Sequence, residues 1–584
     1  MESMPSIRSV SVLLRRVACL LPVLSALSAL PVRAQAYSAR PRLVVLIVID
    51  QFRGDYLQRY RSELSPRGFR LLLDQGAWFP DCYYNYANTM TAPGHSTLGT
   101  GAYTDGHGIQ ANEFWDASRS LDHKVTSVED ERYRLVGIPS GSTTPAAPGA
   151  SPLNLRATTV GDELRLATQG RSKVIGISLK DRAAILPAGQ SANAAYWVDQ
   201  QTGAFLTSTY YRNDLPAWAQ AFNSGPARSQ AAQSAHWDGH GKFFNKVGIT
   251  SAGNQYEIEF AEAAIAGEKL GQSPTTDMLT LSLSPNDIMG HKFGPDSEQE
   301  HQMVLGLDHD LAGFFAWLDQ HVGLANVWIA LSADHGVAPV PAQAAALGIH
   351  AATVDMKALT ASVNASLNAR FTPGQHVAYL MPDEDLPYFQ LDPRVFAPGG
   401  AAAGVQEQAA EEALGTALRV GIDAQNAAVA HQQAAAGKLP PMLQVVGTYT
   451  KQQLAGGDLP HTPFGVELAH SYTDRGLWYT MLVLGGYQME DLSGWGGKTG
   501  TTHFSPWNYD RHVPLAFYGS AFRTGTWRGR VEPVDLAATL ASLLCINQPS
   551  AAIGHVLTQA IQTHQPRQSQ PSQTQPRSAT ARNP

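Results

Sequence analysis

Mostly apolar stretches recur along the chain, and each ends against charge. Leu43 to Ile49 runs into Asp50, Val174 to Leu179 into Lys180-Asp181-Arg182, Met278 to Leu283 towards Asp287, and Val327 to Leu331 into Asp334-His335. Such runs predict strands covered on both faces, because a strand with one wet face alternates instead. Between them apolar residues fall at helical spacing, from Ala157 to Thr168 and from Met303 to His321, where Leu307, Leu311, Phe314, Phe315 and Leu318 share one face. Strands alternating with helices predict an α/β fold, a doubly wound, mostly parallel sheet flanked by helices. Ligands in such sheets bind beyond the carboxyl ends of the strands, which is where each of these runs carries its charge.

The alternation stops between residues 347 and 499. That region holds an alanine- and glutamine-rich helical stretch, Val405 to Ala435, then loops rich in proline and glycine and a mixed segment, Trp478 to Tyr487. It reads as an inserted, capping subdomain. The core, residues 37–346, resumes over 500–562 with a strand at Val513 to Tyr518 and an amphipathic helix from Val534 to Leu544. From Thr563 to Pro584 the chain is almost free of apolar residues, so it predicts a disordered tail. At the other end, Arg8, Arg15 and Arg16 precede an apolar run, Val17 to Val32, followed by Ala34-Gln35-Ala36. This pattern predicts a cleavable signal peptide over 1–36 and a periplasmic or secreted protein. The run is short for a membrane span and contains Pro22 and Pro31.

A chain of 584 residues with a formal charge of −7 and no basic run argues against nucleic acid as a partner. Once Cys19 leaves with the signal, Cys82 and Cys545 remain, able to pair but too few for a disulfide scaffold or a thiolate metal site.

Candidate chemistry begins at the polar turn Asn88 to Gly101, in which Thr91 is the expected nucleophile. A threonine hydroxyl needs a metal, a base or a lowered pKa to attack. Pro93 suits the first turn of a helix, and the amides of Gly94 to Thr97 are expected to face an anion. His95, one turn into that helix, reads as a packed residue. Asp50, Asp287, His291, Asp334, His335 and His503 supply oxygen and nitrogen donors, a set that suits catalytic zinc.

In this order, strand-end Asp50, the Thr91-Ala-Pro-Gly-His95 turn, Asn112, Lys180-Asp-Arg182, Asp287-x-x-x-His291, Asp334-His335 and Thr501-Thr-His503 resemble the alkaline phosphatase superfamily. The likeness is closer to its PafA/PhoK-type secreted alkaline phosphatases. The resemblance implies two zinc ions, one held by Asp50, Thr91, Asp334 and His335 and the other by Asp287, His291 and His503. It implies attack by Thr91 on phosphate monoesters through a phosphothreonine, with Asn112, Lys180 and Arg182 on the non-bridging oxygens. It leaves room for additional structural calcium, and oligomeric state stays open.

A phosphodiesterase or nucleotide pyrophosphatase of the same superfamily shares Thr91, Asn112 and the ligands but lacks the Lys-x-Arg pair in this role. A sulfatase would need cysteine or serine, with an arginine close by, where this chain has Thr91 and His95. Gly94-His-Ser96 fails as a nucleophile elbow because Leu98 stands where glycine is required. A non-catalytic binding protein on this fold would be expected to lack a ligand, and none is missing.

Overall fold

The computed structural model describes residues 40–139, 148–434, 442–457, 459, 464–492 and 500–562. The expected signal peptide with its cleavage site and the expected tail lie outside the described residues. Along the chain the main strands are β1 (Leu43–Ile49), β2 (Ala77–Tyr83), β3 (Val174–Ile177), β4 (Ala194–Val198), β5 (Asp277–Leu283), β6 (Val327–Ser332) and β7 (His512–Tyr518).

Every residue of β1 is buried, as are those of β5 and β6, which explains their unbroken apolar character. They lie at the centre of a ten-stranded sheet whose order is Gly525–Thr526, β2, β7, β6, β1, β5, β3, β4, Phe205–Ser208, Leu135–Val136. β1 pairs in parallel with β5 and β6, and β3 runs parallel to β5 and β4. Ile49 pairs with Leu283, and Val48 with Ser332, so Asp50 and the residues after β5 and β6 leave the sheet at one level. The predicted doubly wound, mostly parallel sheet is therefore the observed one.

β7 lies antiparallel between β6 and β2. The chain that enters β7, carrying His503, therefore approaches the same edge at which the parallel strands end. β3 stops short of the expected Leu179, because the Leu179 N–H donates to the buried Glu257 carboxylate at 2.6 Å instead of to a strand.

Three helices matter for the site: α1 (Thr91–Thr100), α2 (Pro285–Phe293) and α3 (Glu298–His321). Leu307, Leu311, Phe314, Phe315 and Leu318 of α3 are all buried. α3 starts more than a turn before the apolar periodicity does, because the Ser297 hydroxyl caps it by accepting from Glu300 N–H at 3.2 Å.

Between β6 and β7 the chain adds no strand to the large sheet among the described residues. It forms helices Met356–Phe371 and Glu407–Ala434, and strands Tyr388–Gln390, Tyr479–Leu484 and Val445–Thr450 in a separate antiparallel sheet. Leu359, Val363, Phe389, Leu414, Leu418 and Leu482 share an apolar cluster there. Cys82 is buried and Cys545 exposed, and both are free thiols, so the bridge that the sequence allowed is not made.

Candidate active site

Thr91 opens α1, with extended Met90 (φ −134°, ψ 161°) before it. Gly94 N–H already donates to Met90 O at 2.9 Å, so the amides from Gly94 onward are spent inside the helix. This corrects the expectation that Gly94 to Thr97 present free amides to an anion. The helix begins two residues ahead of Pro93, which fits without loss at a position whose N–H has no helical partner. Ala92 N–H donates to Asn112 Oδ1 at 2.8 Å, which turns the Asn112 Nδ2 end away from the helix.

A Cβ on Gly94 would lie 2.2 Å from Asp334 O, so glycine is what lets α1 sit against the end of β6. His95 is fully buried, with Nδ1 2.8 Å from Thr91 O and Nε2 2.7 Å from Ser282 Oγ. Its Nδ1 also lies 3.2 Å from Asp334 Oδ2. These contacts make it a packed residue.

The expected ligands converge. Donor atoms of Asp287, His291 and His503 lie within 4.8 Å of one another, as do those of Asp50, Asp287 and His335. Asp287 therefore faces both groups, where the family pattern assigned it to one. Asp334 joins the second group, its Oδ2 3.5 Å from His335 Nε2. The rings of His335 and His503 stack at 3.7 Å.

Each histidine is fixed through Nδ1: His291 to Thr501 O at 2.8 Å, His335 to Gly336 O at 3.0 Å and His503 to Thr89 O at 2.5 Å. A carbonyl only accepts, so each Nδ1 carries a proton and each Nε2 is turned towards the carboxylates, that of His291 lying 3.2 Å from Asp287 Oδ1. The Thr89 hydroxyl further accepts from Phe504 N–H at 3.1 Å and Ser505 N–H at 3.0 Å, pinning the turn that follows His503.

Asp50 Oδ1, Asp334 Oδ2 and His335 Nε2 are buried without a hydrogen-bond partner. Unpaired buried acceptors are costly, and a cluster of them is what a cation would satisfy. The donor set thus fits divalent metal.

Burial, with Asp287 and Asp334 adding to it, pushes the Asp50 carboxyl up to about 7. Burial acts on Asp287 too, but there Lys180 and His291 win and hold it well below the usual carboxylate range. Burial takes His335 down to about 4, and burial with its imidazole neighbours takes His503 lower than usual. In His291 burial is outweighed by Asp287, which raises it.

Thr91, Asn112, Lys180, Arg182, His291 and His503 line one cleft of about 940 Å³. Lys180 differs from the expected placement. Its Nζ bridges Asp50 Oδ2 at 2.5 Å and Asp287 Oδ2 at 2.6 Å, facing the carboxylates as well as the cleft. Surplus negative charge explains this, and the same carboxylates keep the ammonium protonated against its burial. Arg182 is partly exposed, its Nη1 3.7 Å from Asp181 Oδ1.

Two supporting residues escaped sequence reasoning. Gln51 contacts both Asp334 and Asp287, and Glu257 ties Leu179 N–H to Ser284 N–H behind Lys180. Gln51 had one signal, its place directly after a strand-end carboxylate, whereas Glu257 lies in a helix far from any motif.

The type I phosphodiesterase / nucleotide pyrophosphatase family model matches residues 44–408. Alkaline phosphatase PafA of Elizabethkingia meningoseptica is 34% identical over 562 residues, covering 89% of this chain and 95% of its own. A protein of Myroides odoratus named calcium-transporting ATPase is 32% identical over 565 residues, with 90% and 95% covered. The crystal structure of wild-type PafA superposes with a TM-score of 0.76 at 30% identity, over 90% of this chain and 99% of that one. A solved variant of PafA carries changes at a threonine, an asparagine, a lysine and an arginine, in that order. The chain belongs to the type I phosphodiesterase / nucleotide pyrophosphatase family, within the alkaline phosphatase superfamily and among its PafA-type members.

Proposed function

We propose that the protein is an exported, zinc-dependent alkaline phosphatase that hydrolyses phosphate monoesters through a phosphothreonine at Thr91. One observation carries this reading: two adjoining Asp/His donor groups share Asp287, which with His291 and His503 lines the cleft that holds Thr91, while Asp50 Oδ1, Asp334 Oδ2 and His335 Nε2 of the second group are buried without a partner. Asp50, Thr91, Asp334 and His335 would hold one zinc, and Asp287, His291 and His503 the other. When bound, such ions supply Lewis acidity, lowering the pKa of an attacking oxygen and offsetting charge on a departing one.

Thr91 Oγ1, as the alkoxide, attacks phosphorus; the Oγ1–P bond forms as the P–O bond to the alcohol breaks. Water then attacks the phosphothreonine, breaks the Oγ1–P bond and releases inorganic phosphate. Asn112 Nδ2, Lys180 Nζ and the Arg182 guanidinium bind the non-bridging oxygens. The lysine and arginine favour a monoester, whose dianion places more charge there than a diester does.

The solved PafA variant changed at the same four residue types, in the same order as Thr91, Asn112, Lys180 and Arg182, supports these roles. No helix among the described residues is long and apolar enough to cross a membrane. Export rests on the N-terminal pattern, and inserted status for residues 347–499 on their separate sheet.

The family description favours a second reading, a phosphodiesterase or nucleotide pyrophosphatase. The two separate on Lys180→Ala with Arg182→Ala. A monoesterase loses monoester turnover by about 10²-fold or more while diester turnover falls less. Equal losses on both substrates favour the second reading.

A further inference from the structure

We propose that Gln51 is a positioning residue that sets Asp287, which both donor groups share, relative to Asp334 of the second. The inference rests on the metal reading above. Gln51 is buried with a φ of 61°, a left-handed backbone uncommon for a long side chain. That turn aims its N–H at Asp334 Oδ1, 3.0 Å away, while its side-chain Nε2 reaches Asp287 Oδ1 at 2.8 Å. A carboxylate only accepts, so the amide must present its NH2 group there.

Asp287 stands on α2 and Asp334 follows β6, with no strand pairing between the two residues themselves. Gln51, leaving β1 between these elements, touches both. On Asp334 it occupies Oδ1 and leaves Oδ2 to face His335 Nε2, 3.5 Å away; on Asp287 it holds the same Oδ1 that faces His291 Nε2 at 3.2 Å, while Lys180 Nζ holds Oδ2, so it orients both carboxylates as an outer hydrogen bond orients a metal ligand. The sequence of α2 accommodates it: a Cβ on Gly290 would lie 2.1 Å from Gln51 Oε1. Glycine at 290 and left-handed glutamine at 51 thus serve one contact.

The test measures zinc binding, not turnover. The full chain is stripped of metal and titrated with zinc against a competing chelator, for wild type, Gln51→Met, Gly290→Ala and the double variant. Met keeps the length and burial of Gln51 without its amide, and Ala pushes that amide aside without removing it. Each single variant is expected to weaken zinc binding by roughly 10–100-fold while the Tm of the stripped protein holds. The double variant should be no weaker than the worse single one, since both act through one amide.

Gln51→Met binding within about twofold of wild type overturns the proposal, as do losses that multiply in the double variant. A fall in Tm with unchanged zinc affinity also overturns it, leaving Gln51 a packing residue. Wild type that takes up no zinc overturns the metal reading first and is told apart from these outcomes by that fact alone.

Discussion

The proposed attack by Thr91 requires the side chains of the donor groups to hold still, and their three histidines are fixed by backbone contacts. His291, His335 and His503 each spend Nδ1 on a carbonyl. Their reactive faces are thus set before any ligand arrives. Thr91→Ala should keep the fold and lower monoester turnover by on the order of 10³-fold or more, read by steady-state rates beside a circular dichroism spectrum. Undiminished turnover would reassign the nucleophile. Gly94→Ala makes a different prediction. Its Cβ would meet the Asp334 carbonyl at 2.2 Å, so overpacking should cost about 1–3 kcal/mol, read as a lower Tm, and disturb a ligand residue as well.

At the scale of elements, the strand ends were legible because buried parallel strands leave unbroken apolar runs and end abruptly in charge. Asp50, Lys180, Asp287 and Asp334 were found that way. The start of α1 at Thr91 was not, because threonine is an ordinary cap residue type and here Met90 takes the cap position, although Pro93 falls in the first turn as expected. Nor was the reach of Gln51, which depends on a left-handed turn that sequence periodicity does not encode.

The region between β6 and β7 carries its own test, at the end of strand Gln488–Glu490, which pairs in parallel with Ala352–Val354. Burial, reinforced by Asp385, pushes Glu490 from the ordinary 4.5 up to about 8. A carboxyl raised on folding stabilises fully below its unfolded pKa, and that contribution is lost as pH rises through about 8. Stability should therefore fall between these limits with a slope of up to about 1.4 kcal/mol per pH unit. Glu490→Gln, which keeps an acceptor for Leu386 N–H, should flatten that slope in chemical denaturation. An unchanged slope would assign the loss to other buried acids.

For the molecule as a whole, topology gathers the site. β1, β5 and β6 end at one level, and antiparallel β7 returns His503 to the same edge from more than 150 residues beyond Asp334. The α/β class, the ligand residue types and their order along the chain were open to sequence reasoning. The two-sided role of Asp287 and the inward turn of Lys180 were not, because both follow from charge crowding that exists only after folding.

On the proposed zinc reading, that crowding also governs metal uptake. With Asp50 pushed up to about 7, its proton competes with a cation, so zinc affinity should fall about tenfold per pH unit below that point. Titrations at pH 5 and 8 would check this.

The most direct measurement compares hydrolysis of an aryl phosphate monoester and the matching diester before and after chelation, with zinc counted on each sample. The monoester should be cleaved far faster, its turnover should vanish with the metal, and zinc should restore it. Full monoester turnover by protein proven free of metal would contradict the paired donor groups as the engine of catalysis.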